Sequence, residues 1–96
     1  YPRMDFMLLA MDALVNHLDK LPMFGWHPKV IIRCRVGQKK PLHAGPQHTQ
    51  NHTHAFRQML TTIEVLEVCK AAHVTEVYKL ALHNKHSTLI VENPSG

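Results

Sequence analysis

Residues 63 to 91 constrain the fold more than any other part of the chain. Ile63 to Cys69 reads as a strand, Val74 to Asn84 as a helix, and Thr88 to Val91 as a strand that Pro94 stops. Val74, Val77, Tyr78, Ala81 and Leu82 fit the i, i+3, i+4, i+7, i+8 helical stripe in full. Thr75 is the expected N-cap, and Asn84 and Lys85 suit the C-terminus. Two strands joined through a helix must run parallel, with a right-handed crossover.

The upstream residues extend this pattern. Met4 to Leu18 reads as a helix with Met7, Met11, Leu14 and Leu18 on one face, widened by Ala10 and Val15. Asp5, Asp12, Asn16 and Asp19 are expected on the opposite, solvated face. Leu21 to Pro28 ends the helix and turns the chain, with Phe24 and Trp26 either capping the core or lining an interface. Val30 to Val36 is a strand whose apolar start, Val30-Ile31-Ile32, suggests burial on both faces, as in parallel sheets. Gly37 to Gln47 is a long connection, and a helix starting at Thr49 or Asn51 runs to about Leu60. The expected architecture is α/β: a parallel sheet of about three strands flanked by about three helices. Three helices barely cover both faces, so one edge and one face are expected to await a partner or further chain.

Composition narrows the functional classes. The chain has 96 residues and is 45% hydrophobic, which suits one small globular domain. It begins Tyr1-Pro2 without an initiator Met, and a fragment of a longer protein is the expectation. No apolar run approaches membrane-spanning length, and no signal peptide is visible. Cys34 and Cys69 form no CxxC pair; both read as small buried hydrophobes of strands in a reducing, cytoplasmic setting. The formal charge is +4, but only Arg33, Arg35, Lys39 and Lys40 cluster, without interleaved aromatics, so no nucleic-acid partner is expected.

The chemistry concentrates at Gly45-Pro46-Gln47-His48-Thr49-Gln50. A rigid Gly-Pro corner followed by an imidazole between amides and a hydroxyl suits a loop that aims one histidine. Three readings compete. His48 and His52, spaced i, i+4, would share a helix face and hold a metal if the helix began by Thr49, with His43 or His54 as a third ligand. No HExxH glutamate or cysteine supports this. Alternatively His48 contacts a substrate or moves a proton near neutral pH. The plain alternative is solvated loop histidines, which is preferred for His43, His52 and His54. No Ser-His-Asp or Cys-His set, P-loop or GxGxxG is present. Ligands of open α/β sheets gather at the carboxyl ends of strands, where the His48 loop is expected to leave.

Taken in order, the helix Asp5 to Asn16, the strand Val30-Ile31-Ile32-Arg33, the loop Gly45 to Gln50 and the terminal Leu89-Ile90-Val91-Glu92-Asn93 resemble part of a known family. They resemble the second half of the pyrimidine-binding domain of thiamine-diphosphate enzymes. The nearest branch is the beta subunit of 2-oxoacid dehydrogenases, with transketolase more distant. The resemblance runs the length of the chain and implies a parallel α/β fold. It implies a thiamine diphosphate site at a domain or subunit interface. The partner would be a diphosphate-binding domain or alpha-type subunit in a homo- or hetero-oligomer. It implies that Phe6 contacts the cofactor's aminopyrimidine ring, against ordinary core packing as the plain alternative. His48 would face the reacting carbon as a catalytic and substrate-binding residue. Gln50 would contact substrate, Arg33 would support it, and Asp12 would make a helix-surface contact. The family's activating glutamate, and the domain that holds diphosphate and divalent metal, lie outside these residues. Arg3 and Met4 stand where relatives often carry another aromatic, and Gln38-Lys39-Lys40-Pro41-Leu42-His43 replaces a glycine-rich loop. The chemistry implied is attack on a carbon–carbon bond beside a carbonyl, with no activity expected of this segment alone. A small histidine- and lysine-loop module that binds a metal or anion is the alternative from another class.

Overall fold

The computed structural model describes residues 1–38, 40 and 43–94. Lys39 of the basic cluster, Pro41 and Leu42 of the long loop, and the last two residues lie outside that set. Three parallel strands, β1 (Ile31–Arg35), β2 (Glu64–Val68) and β3 (Thr88–Glu92), form one sheet in the order β1-β3-β2. Ile31 and Glu64 both register with Thr88, and Arg35 and Val68 both register with Glu92. The α/β class and the parallel 63–91 unit are therefore as expected.

The doubly buried strand is β3, not β1. Thr88, Leu89, Ile90 and Val91 have no solvent exposure. On β1, an edge strand, Val30 just before it is exposed and Ile31 and Ile32 are only half-buried. An apolar run signals burial, but the lateral position in the sheet decides how complete that burial is. One face of the sheet packs Ile32, Cys34, Val65, Leu89 and Val91 against Met4, Met7, Met11, Leu14 and Phe56. The other face packs Val68 and Ile90 against Ala81, with Val74, Val77 and Tyr78 at the margin. Both faces thus carry helices.

The helices depart from the expected limits. The N-terminal helical segment runs from 4 to 24 as 3₁₀ turns (Met4–Ala10), a π-type stretch (Ala13–His17) and further 3₁₀ turns (Leu18–Phe24). It ends at Gly25, whose φ of 86° opens the left-handed region. There Trp26 N donates to Leu21 O and Gly25 N to Pro22 O, the paired bonds of a Schellman ending. Phe24 and Trp26 are 76% and 69% exposed, so neither caps the core. The predicted outer polar face fails at both ends, because Asp5 and Asp19 are buried. Asp19 Oδ1 accepts from the amides of Thr61, Thr62 and Ile63, and Oδ2 from the Thr61 hydroxyl and Lys20 Nζ. Helix α1 (Thr53–Met59) starts later than expected, because Asn51 Oδ1 accepts from Thr53 N and Thr53 Oγ1 and forms a local turn first.

Helix α2 (Val74–His83) follows a 3₁₀ turn, Ala71–His73, so Thr75 lies inside the helix and does not cap it. Leu82, the last member of the stripe, is 64% exposed. Lys29 Nζ donates to the carbonyls of Leu82 and Asn84, placing a cation on the C-terminal end of α2. Burial pushes the Tyr78 hydroxyl above its usual pKa, and it has no well-formed hydrogen bond among the described residues. The cysteines part company. Cys34 is buried, but β2 ends at Val68 and leaves Cys69 exposed.

Candidate functional site

Gly45-Pro46-Gln47-His48 is a tight turn. Gly45 takes a φ of 101°, and its carbonyl accepts from His48 N at 3.1 Å and from Thr49 Oγ1 at 3.0 Å. His43 Nδ1 accepts from Gly45 N at 2.9 Å, so His43 braces the turn from outside. Thr49 is buried behind the turn, and His48 is left half-buried beside it.

The loop is held from the sheet side by Gly37 and from the other side by the N-terminal helical segment. Gly37, just past β1, is buried so closely against the loop that a Cβ there would overlap the His48 carbonyl oxygen. Only glycine permits that approach. From the other side, Asp5 Oδ2 accepts from Gln50 N at 3.4 Å, and Asp5 Oδ1 lies 3.2 Å from His52 Nε2. The His52 amide contacts Met4 Sδ at 3.2 Å, and its ring stacks on Phe56 with centroids 5.9 Å apart.

The clamp brings together the two residues of greatest interest. Phe6 and His48 meet edge to face, with ring centroids 5.4 Å apart and planes inclined at 68°. Phe6 is 46% exposed between buried Met4 and Met7, so it is not a core aromatic. Among the described residues, no hydrogen bond engages either ring nitrogen of His48. A half-exposed aromatic ring beside an imidazole of this kind offers apolar contact area next to a group that can exchange a proton near neutral pH.

The other predicted residues take lesser places. Gln50 is exposed on the same loop, anchored through its backbone. Arg33 points to the opposite face of the sheet, where Nε and Nη2 both reach Glu92 Oε1, at 2.9 and 2.7 Å, and the guanidinium lies 5.9 Å from the Tyr78 ring centroid. Asp12 accepts from Asn16 Nδ2 on the exposed helix surface. His54 is exposed on α1. His52, expected to be solvated, is a structural partner of Asp5. With α1 starting at Thr53, His48 and His52 share no helix face, and among the described residues no three metal-binding side chains converge.

Asp5 and Gly37 were not expected in the site. Their sequence signals are faint: an acid inside an apolar run, and a glycine just past a strand. Comparison with protein-family models, curated proteins and solved structures finds no match for this chain.

Proposed function

We propose that this chain is the second half of a thiamine-diphosphate pyrimidine-binding domain, from a transketolase-like or 2-oxoacid dehydrogenase-like enzyme. The observation that carries the reading is the contact of Phe6, on the N-terminal helical segment, with His48, on the loop that leaves the carboxyl end of β1. Two residues that the resemblance assigns to one cleft, 42 positions apart by their numbers, are in ring contact. The parallel sheet supports the same reading.

In this proposal Phe6 packs against the aminopyrimidine, and His48 binds substrate and holds or moves a proton beside the reacting carbon. Gln50 extends the substrate contact. The bound cofactor supplies an electron sink for carbon–carbon cleavage next to a carbonyl. The protein supplies placement, through the Gly37 and Asp5 contacts that fix the loop. The first half of the domain would supply the activating glutamate, and a partner domain or subunit the site for the diphosphate and its divalent metal. Exposed Phe24 and Trp26 are suited to a protein interface of that kind.

In the intact assembly, His48→Ala should lower turnover about 100-fold or more while leaving the circular dichroism unchanged. Phe6→Ala should instead weaken thiamine diphosphate binding about tenfold, the value of one lost aromatic contact. Unchanged turnover in the first variant would remove His48 from the mechanism. Unchanged cofactor affinity in the second would remove the cleft.

A further inference from the structure

The carboxyl ends of the three strands open into two neighbouring clefts with an excess of positive charge. One, of about 340 Å³, is lined by Arg35, Cys69, Lys70 and Asn93 among others. The other, of about 480 Å³, is lined by Arg3, Arg33, Arg35 and Glu92 among others. Arg35 and Glu92 belong to both, because they end neighbouring strands in register. Glu92 is committed to Arg33 at 2.7 Å. Among the described residues Arg3, Arg35 and Lys70 have no carboxylate within ion-pair distance. Among the described residues the Arg35 guanidinium makes one hydrogen bond, a long one of 3.3 Å to Gln38 Oε1.

We infer that this edge binds a phosphorylated small molecule, with Arg35 as the central contact and Lys70 and Arg3 on either side. Arg35 lines both clefts, with Lys70 in one and Arg3 in the other, at the end where a parallel α/β sheet collects its ligands. The guanidinium fork of Arg35 matches a phosphoryl group with two parallel N–H donors, and the Lys70 ammonium adds a point charge. A dianion or diphosphate balances that charge better than a single carboxylate does. The clefts are large enough to take the organic portion as well as the phosphoryl group. This inference does not rest on the cofactor reading, which assigns the thiamine diphosphate phosphates to a different domain.

The test is calorimetric titration of the chain with inorganic phosphate, diphosphate and acetate at low ionic strength. Saturable one-to-one binding of phosphate or diphosphate is expected, with acetate much weaker. Arg35→Gln should weaken it about tenfold, the cost of a charge-assisted hydrogen bond. Lys70→Gln should weaken it several-fold, and Lys79→Gln, on the exposed side of α2, should not change it. His48→Ala should also leave it unchanged. Several results overturn the inference: no saturable heat, acetate binding equal to phosphate, or equal losses from Lys79→Gln and Arg35→Gln. Tighter binding to arbitrary duplex DNA, steeply lost with salt, would also overturn it and assign the edge to nucleic acid.

Discussion

Asp19 has no solvent exposure, yet it is held as a carboxylate. Burial alone would push its pKa up, but the Lys20 ammonium and the amides of Thr61, Thr62 and Ile63 outweigh that and hold it well below the usual carboxylate range. These bonds tie the end of the helical segment to the entry of β2, more than 40 residues away. Because the folded state keeps this carboxyl below its unfolded value of 3.8, the unfolded chain takes up the proton first as pH falls. The stabilisation is therefore complete well above that value and fades as pH falls through it. Asp19→Asn places an amide N–H against backbone donors and should cost about 2–4 kcal/mol at neutral pH. Urea unfolding of both proteins at a series of pH values checks this. The gap between them should narrow from about pH 5 to pH 2; a gap that stays constant would mean that the charge is irrelevant.

Among the elements, strand boundaries carry the clearest chemical consequence. The apolar run Ile63 to Cys69 promises a strand, but pairing with β3 stops at Val68, opposite Glu92. Cys69 thus falls at the lip of a cleft, while Cys34, one face of β1 below the helical segment, stays in the core. Burial pushes the Cys34 thiol up to about 12. Iodoacetamide at neutral pH should modify Cys69 alone in the native chain and both cysteines in denaturant, as read by peptide mass. Native labelling of Cys34 would mean that β1 opens readily. The same contrast explains what was legible. Periodicity reports which residues seek burial, so the strands, α2 and the Met7–Met11–Leu14 stripe could be read along the chain. It carries no information on lateral order, which makes β3 central and β1 an edge. The Gly45–His48 turn was legible because its chemistry is local. The Asp5–His52 contact, 47 residues apart, was not, since nothing local distinguishes an acid that faces water from one that faces a loop.

At the scale of the molecule, stability should be graded from the middle of the sheet outward. Among the described residues every pairing between strands involves β3, which pairs with β1 on one side and β2 on the other. Its residues feed both cores, Leu89 and Val91 into one and Ile90 into the other. Losing β3 therefore dissolves the sheet and both helical layers together, so its amides have no route to exchange short of global unfolding. The N-terminal helical segment is built differently. Its 3₁₀ and π-type turns have poorer hydrogen-bond geometry than an α-helix. It is held by one apolar stripe and by the Asp19 tether, and it carries Phe6 and the Asp5 anchor of the His48 loop. It can therefore loosen while the sheet persists. Hydrogen exchange resolved by residue should show Leu89, Ile90 and Val91 slowest, with amides of the 4–24 segment at least about tenfold faster, a difference of about 1.4 kcal/mol in opening free energy. If the helical segment exchanges as slowly as β3, the domain is one cooperative unit. The loop carrying His48 would then be as rigid as the sheet, and the Phe6–His48 contact would be preformed.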